Sequence, residues 1–122
     1  MDEQEFKART KKLGLRVIRL VEALPKSTAA DVIGRQLLGS ATSVGANYRA
    51  ACRAKSTPDI INKLKVVEEE ADETLYWLEL LIEAEIIPEA RLKELMTEAD
   101  EIIAMTVSSI KTLRLKQRNR KS

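Results

Sequence analysis

The apolar residues between positions 60 and 82 recur at steps of three and four, which is the spacing of one face of an α-helix. These residues are Ile60, Leu64, Val67, Ala71, Leu75, Leu78 and Ile82. The stripe is long and unbroken, and it follows a start signal in which Ser56 or Thr57 caps the helix and Pro58 takes its first turn. We therefore predict one helix from this cap to about Glu85.

Three further helices are predicted around this one. The first covers about residues 3–24 and ends before Pro25, because proline disfavours the helical conformation of the residue before it. The second covers about 29–54 after a cap at Ser27 or Thr28, and the fourth begins near Pro88. Short connections favour antiparallel neighbours, so the fold class is all-α, an antiparallel up-down-up-down four-helix bundle.

The fourth helix is predicted to fade after Leu113, where apolar residues give way to RLKQRNRKS. The predicted organisation is therefore a bundle domain over residues 1–113 and a basic, disordered C-terminal tail over 114–122.

Small and polar residues divide the second predicted helix into strips. Gly34, Ala41 and Gly45 lie beside its apolar face, and a glycine inside a helix costs up to about 1 kcal/mol relative to alanine. Close approach of another helix backbone would explain that cost. The polar strip consists of Gln36, Ser40, Ser43 and Asn47. Packing inside a buried helix and binding of a ligand are both open for this strip.

Charge is distributed unevenly along the chain. Residues 1–63 carry a net charge of +6, residues 64–110 carry −10, and residues 111–122 carry +6. This asymmetry suits head-to-tail association of subunits or a basic surface for nucleic acid. The candidate nucleic-acid-binding residues are Lys7, Arg9, Lys12, Arg16 and Arg19 of the first helix, and Arg114, Lys116, Arg118, Arg120 and Lys121 of the tail.

A second group of apolar residues lies away from the main stripes, and a bundle helix needs only one wide stripe. The group consists of Leu15, Ile18, Val66, Trp77 and Leu81. We interpret it as a surface buried between subunits of a homo-oligomer. The alternative is a tryptophan partly covered by the long side chains of its own helix.

Catalysis is not expected. The chain has no histidine, so it lacks the commonest general base and any Cys-His or Ser-His pair. The carboxylates of residues 68–73 fan around their helix and do not converge on a metal, and Cys52 has no base beside it. We expect neither a metal nor a cofactor. A lone cysteine, a polar N-terminus and the absence of a long apolar run favour a cytoplasmic protein without membrane contact.

Several runs resemble the four-helix bundle proteins encoded by intervening sequences in bacterial 23S rRNA genes. The runs are SVGANYR at residues 43–49, EADET at 70–74 and YWLELL at 76–81, and the resemblance extends over about residues 8–113. It implies a left-handed antiparallel bundle and a ring-shaped homopentamer. Relatives include the accessory variability protein of diversity-generating retroelements, a pentameric barrel that binds nucleic acid and a reverse transcriptase.

Two functions are compatible with these observations. The first is a non-enzymatic, oligomeric bundle that binds RNA or DNA electrostatically through the basic first helix and tail. The second is a protein-interaction scaffold with no direct nucleic-acid contact. Salt-sensitive affinity for polyanions distinguishes the two, because phosphate binding releases counterions.

Overall fold

The computed structural model describes residues 2–121, with side chains through residue 120. The four helices are α1 (Glu3–Glu22), α2 (Thr28–Arg53), α3 (Thr57–Glu83) and α4 (Glu89–Lys121). Between residues 2 and 121 there is no β-strand. The predicted all-α fold class with four helices is confirmed, and the first three helices begin and end within two residues of the predicted bounds.

Capping side chains begin three of the helices. The caps are Asp2, Ser27 and Ser56, whose side-chain oxygens accept a hydrogen bond from the backbone N–H three residues further on at 2.7–3.2 Å. Each bond satisfies one of the N–H groups that lack a partner in the first turn of a helix. The cap residues that the sequence allowed are therefore resolved to Ser27 and Ser56.

Contacts between α1 and α2 run in opposite directions along the two helices. The rings of Phe6 and Tyr48 meet edge to face, 4.5 Å apart, at the start of α1 and the end of α2. At the other end, the side chain of Leu24 lies against Gly34. The start of α1 therefore lies beside the end of α2, and the end of α1 lies near the first half of α2. The two helices are antiparallel.

The other neighbours follow the same rule. The hydroxyl groups of Thr74 in α3 and Ser40 in α2 are 3.0 Å apart, while the end of α2 packs with the start of α3 at Ala51 and Ile61. Ile110, late in α4, belongs to that same cluster. Helix α1 lies beside α2 and, over a shorter stretch, beside α4, and no Cα atom of α1 lies within 8 Å of one in α3. Helices α1 and α3 therefore lie diagonally across the bundle.

Most buried residues of α3 and α4 follow a heptad spacing. These are Leu64, Val67, Ala71, Thr74, Leu78 and Leu81 in α3, and Leu92, Leu95, Ala99, Ile102 and Thr106 in α4. Ile61, Leu75 and Ile110 are also buried but fall outside this spacing. Alternating steps of three and four correspond to 3.5 residues per turn, the period of helices that wrap around one another. A strict 3.6-residue period drifts away from this seam, so the sequence prediction placed Ile82 on the buried face where Leu81 lies.

Leu81 is fully buried inside one chain, so its assignment to an interface between subunits is wrong. The α3–α4 turn explains its burial. Glu85 adopts a left-handed conformation with φ of 59°, and the N–H groups of Ile86 and Ile87 both donate to the carbonyl of Leu81. This turn folds the buried side chain of Ile87 over the end of the core, where Leu81 also packs.

Helix α4 continues through Lys121 and does not fade after Leu113 as predicted. Its last buried residue is Ile110, and Leu113 packs against the cluster at the α2–α3 end. The following residues are mostly arginine, leucine, lysine and glutamine, all favourable in helices, with no proline or glycine to end the helix. The backbone therefore has no boundary at residue 113, and residues 111–121, here called the α4 extension, form its last turns.

The small strip of α2 is explained by close approach at some positions only. A Cβ atom on Gly45 would lie 3.3 Å from the backbone carbonyl of Thr10, and one on Gly34 would lie 3.1 Å from the Leu24 side chain. Gly39 has no neighbour within 4 Å of such an atom. Close approach of another helix backbone is thus confirmed for Gly45. At Gly34 the neighbours are the side chains of Leu24 and Val21, and nothing in the structure explains Gly39.

Two residues of the polar strip of α2, Ser40 and Asn47, use their side chains within the chain. Ser40 is buried and its hydroxyl donates to the carbonyl of Leu37, while it lies beside Thr74 of α3. The side-chain amide of Asn47 donates to the carbonyl of Ser43, and Gln36 is exposed. Within residues 2–120 no buried side-chain N or O atom lacks a hydrogen-bond partner. The packing interpretation of this strip is therefore the better one.

Candidate functional site

The antiparallel fold sorts the charges by the ends of the bundle. One end contains the start of α1, the end of α2, the start of α3 and the end of α4, which are residues 2–11, 44–67 and 107–121. These residues carry 14 basic and 4 acidic side chains, whereas residues 12–43 and 68–106 carry 7 basic and 15 acidic ones. We call the first group the basic end. A near-neutral chain is thus a strongly polarised molecule.

Arg9, a predicted nucleic-acid contact, is held within the chain. Its guanidinium donates to both carboxylate oxygens of Glu98 at 3.0 and 2.6 Å and to Glu101 at 2.9 Å, and it also lies 3.7 Å from the sulfur of Met105. The hydrogen bonds to Glu98 raise the pKa of Arg9 and lower the pKa of Glu98. The contact of Arg9 with nucleic acid stays a prediction, and the structure does not favour it, because two carboxylates already compensate its charge.

The other basic residues predicted on α1 do not form one surface. Lys12 and Arg16 lie close enough to Glu98 to lower the pKa of its carboxyl group. Arg16 also lines a depression of about 440 Å³ whose other charged residues include Glu98 and Glu101. Arg19 is exposed but lies outside the basic end, and Lys7 faces α2. A phosphate backbone would meet carboxylates as well as cations along α1.

The Arg9 ion pairs provide a prediction about stability and pH. Arg9→Met keeps an apolar stem of similar length but removes the charge-assisted hydrogen bonds, so we expect a loss of about 1–2 kcal/mol at pH 7. Because folding lowers the pKa of Glu98, its contribution is fully present above the ordinary carboxyl pKa and is lost as pH falls through the lowered value.

Urea unfolding at pH 7 and at pH 3 measures this difference in the free energy of unfolding. The exposed Arg19→Met substitution on the same helix is the control and should change stability little at either pH. An Arg9→Met deficit that is as large at pH 3 as at pH 7 would assign its effect to packing and not to the ion pairs.

The α4 extension presents its cations to solvent. Arg114, Lys116, Arg118 and Arg120 are all exposed, and none of the ion pairs found among the described residues involves them. The side chain of Lys121, the last predicted contact, lies outside the described residues. The extension is therefore the part of the predicted nucleic-acid surface whose charges face outward on one element.

An open groove of about 570 Å³ lies on the surface where α1 and α2 meet, at the basic end. Its rim carries four cations, Lys7 and Lys11 from α1 and Arg49 and Arg53 from α2. Its floor is apolar and shallow because small residues line it, and the exposed Leu15 and Ile18 lie at one end. Sequence reasoning found Lys7, Leu15 and Ile18 separately. It missed Arg49 and Arg53, although their spacing of four residues on a helix was a visible signal.

The outer face of α3 has the opposite character. Tyr76 is 53% exposed and its ring meets the half-buried Trp77 edge to face at 4.9 Å. The indole N–H of Trp77 donates to Glu73 at 3.2 Å. Burial, together with Glu73 and Glu69, raises the pKa of the neighbouring Glu70. An aromatic pair surrounded by carboxylates therefore lies on this face. Tyr76 was not among the predicted interface residues.

The predicted second apolar surface is really two surfaces. Leu15 and Ile18 lie in the α1–α2 groove, whereas the half-buried Val66 and Trp77 belong to α3. These two helices lie diagonally across the bundle, with no Cα atoms within 8 Å of each other. With Leu81 in the core, a single patch made of all five residues is ruled out. What the structure offers is one basic apolar groove and one acidic aromatic face on different sides.

Two reactive side chains at the end of α2, Tyr48 and Cys52, have raised pKa values. Burial and a hydrogen bond to Glu3 raise the pKa of the Cys52 thiol, which disfavours the nucleophilic thiolate. Burial and Cys52 likewise raise the pKa of Tyr48. Residues 2–120 contain no group of three or more acidic or thiol side chains that could hold a metal ion. In the same part of the chain, no helix is both long and apolar enough to span a bilayer.

Comparisons with known proteins agree with this architecture. The sequence profile of the family described as 23S rRNA-intervening sequence protein matches residues 2–108. A crystal structure from Bacteroides thetaiotaomicron, described as a protein with unknown function from the S23 ribosomal protein family, is 37% identical. It superposes with a TM-score of 0.85 and covers 91% of this chain and 99% of its own. A comparison with curated proteins found no match.

Proposed function

This chain belongs to the 23S rRNA-intervening sequence protein family, and from that membership and its charge distribution we propose a non-enzymatic bundle that assembles into oligomers and binds nucleic acid. The binding element is the α4 extension and not helix α1. The observation that carries the proposal is the placement of four exposed cations, Arg114, Lys116, Arg118 and Arg120, on a helix without a single acidic residue from position 102 onward.

Electrostatics supports a polyanionic partner. An exposed cation without a nearby carboxylate retains its full attraction for phosphate, whereas an internally paired one such as Arg9 does not. Each phosphate contact also releases condensed counterions, so several weak contacts on one helix add up to useful affinity at low salt. The name of the family refers to 23S rRNA genes, but it does not identify whether the bound nucleic acid is RNA or DNA.

Assembly is proposed through the two complementary surfaces on opposite sides of the bundle. The basic groove between α1 and α2 fits an acidic face that carries apolar side chains, and the outer face of α3 with Tyr76, Glu69 and Glu73 has that composition. Contact between two different patches is head to tail, and such contacts form a ring when the rotation closes. We propose that five subunits close the ring, as the resemblance implies. The relation to retroelement proteins stays a prediction.

Oligomerisation would strengthen binding by the α4 extensions. Each subunit contributes one extension, so a ring holds several weakly binding helices together. The second and later contacts with one nucleic-acid molecule then occur at a high effective concentration.

Neutralisation of the extension tests the nucleic-acid proposal. The variant replaces Arg114, Lys116, Arg118 and Arg120 with glutamine, which removes four positive charges and keeps good helix formers. We expect the affinity for a labelled 20-base-pair duplex at low salt to fall at least about tenfold. This corresponds to about 1.4 kcal/mol of binding free energy. Fluorescence anisotropy measures the affinity, and circular dichroism checks the helix content.

The matched control removes four other exposed cations, Arg19, Lys26, Arg35 and Arg91, which lie outside the basic end. Its net charge equals that of the extension variant, so a loss of affinity from net charge alone would be the same in both. Equal losses would overturn the assignment to α4, and an unchanged affinity of the extension variant would do the same.

A protein-interaction scaffold is the second candidate function. The exposed Tyr76 and the apolar floor of the α1–α2 groove favour it, because such surfaces bind other proteins. This function predicts no salt-dependent affinity for nucleic acid in any variant.

A further inference from the structure

The α4 extension differs from a flexible basic tail because it is a helix. Eleven residues at 1.5 Å each make a rod about 16 Å long, and an α-helix with its side chains is about 10–12 Å wide. Its backbone hydrogen bonds are made within the helix, so its side chains keep fixed relative directions. The direction of each cation around this rod can therefore be compared with the shape of a ligand.

The cations form two ridges on opposite sides of the rod. At about 100° per residue, Lys111, Arg114 and Arg118 fall within about 60° of one another. Lys116 and Arg120 fall within about 40° of each other, and the centres of the two groups are about 170° apart. A flat anionic surface could meet only one of these ridges at a time.

The remaining two sides of the extension differ from each other. Leu113 and Gln117 are half-buried, and Leu113 packs on the cluster at the α2–α3 end, so this side faces the bundle. The opposite side consists of Thr112, Leu115 and Asn119, which are uncharged and exposed. Leu115 alone is 52% exposed. The outward side is therefore neutral, and one ridge of cations flanks it on each side.

A helix of this pattern matches a groove with phosphates on both walls. The major groove of B-form DNA is about 12 Å wide and accepts an α-helix, and its two walls are the phosphate backbones of the two strands. Base edges and thymine methyl groups form its floor, where amide and apolar side chains make contacts. Resting on the proposed nucleic-acid function, we propose that the α4 extension binds in the major groove of double-stranded DNA, with Leu115 towards the base edges.

The other nucleic acids fit this helix less well. The major groove of A-form RNA is deep and too narrow for side chains to read. Single strands are bound by stacking of bases on aromatic rings, and the aromatic residues of this chain, Phe6, Tyr48, Tyr76 and Trp77, all lie outside the extension. Leu115 is the one strongly exposed apolar residue of the extension, whereas helices that lie on membranes present a whole apolar face.

The family profile does not cover this element. Its match ends at residue 108, three residues before Lys111. The cation ridges therefore lie outside the residues that the family match covers.

Affinities for four probes test the proposal by fluorescence anisotropy. The probes are a 20-base-pair DNA duplex, an RNA duplex of the same sequence, one DNA strand alone, and vesicles containing phosphatidylserine. The intact protein should bind the DNA duplex about tenfold or more tightly than each of the others at equal phosphate concentration. Gln117→Pro keeps every cation but breaks the helix, and it should reduce duplex affinity to the level of the single strand, whereas Gln117→Ala should not.

Two further variants each neutralise two cations of one ridge: Arg114→Gln with Arg118→Gln, and Lys116→Gln with Arg120→Gln. Both should weaken duplex binding by a similar factor, because each ridge faces one strand. An effect confined to one ridge, equal affinity for all nucleic acids, tightest binding to vesicles, or tolerance of Gln117→Pro would overturn groove insertion. Salt-sensitive binding in those cases would leave the electrostatic function standing, and absence of binding to any nucleic acid at low salt would overturn both.

Discussion

A double variant with Arg49→Glu and Arg53→Glu will elute as a monomer at micromolar concentrations at which the unchanged protein elutes as an oligomer. Both arginines lie on the rim of the α1–α2 groove, opposite Lys7 and Lys11. In the proposed head-to-tail contact they meet the carboxylates of the α3 outer face of the next subunit, so glutamate would place like charges together. We expect an interface at least about a hundredfold weaker, or about 2.8 kcal/mol.

Light scattering after gel filtration measures the mass, which for the unchanged protein should be near five times the 13.7 kDa of one chain. Restoration of the oligomer by Glu69→Arg and Glu73→Arg on α3 would identify the two partners directly. Arg35→Glu, on an exposed part of α2 away from the groove, is the control and should leave the mass unchanged. A monomeric unchanged protein, or an oligomer that survives the double substitution, would refute this interface.

Gly45→Leu will destabilise the bundle, while Gly39→Leu on the same helix will not. A Cβ atom at position 45 would lie 3.3 Å from the Thr10 carbonyl and 3.4 Å from the Lys11 backbone nitrogen, so α1 would have to move away. Overpacking of this kind costs about 1–3 kcal/mol. Position 39 is open, and leucine there should gain a few tenths to about 1 kcal/mol through its helix propensity.

Thermal unfolding by circular dichroism compares the two glycine variants at matched protein concentration. Because Gly45 also lines the groove, Gly45→Leu should weaken assembly as well, whereas Gly39→Leu should not. A melting temperature that rises for both substitutions would show that α1 and α2 are not held at this close distance.

The helices could be predicted from the sequence because their signals are local. Proline positions, serine caps and apolar spacing depend on neighbours within one or two turns. The choice between adjacent apolar residues could not be predicted, because it depends on how α3 and α4 wind around each other. Leu81 is buried where Ile82 was expected, since the buried seam repeats every 3.5 residues.

The site was predicted less completely than the fold. The cations of the α4 extension were identified from composition alone, but their arrangement depends on the helix continuing past Leu113. The guanidinium of Arg9 is ion-paired with Glu98, which is 89 residues away in sequence. The two residues become neighbours only through the antiparallel pairing of α1 and α4. Predicting the α1–α2 groove likewise requires knowing the register between the two helices. No pattern within either helix reveals that register.

The most direct test of a nucleic-acid function centred on α4 is the salt dependence of binding. The logarithm of the affinity for duplex DNA is measured against the logarithm of salt concentration for the intact protein and for a chain ending at residue 113. Each phosphate contact contributes a slope of about −0.9. We expect a slope steeper than about −3 for the intact protein and close to zero for the shortened one, with equal stability of the two bundles. Equal slopes for both proteins would contradict the account.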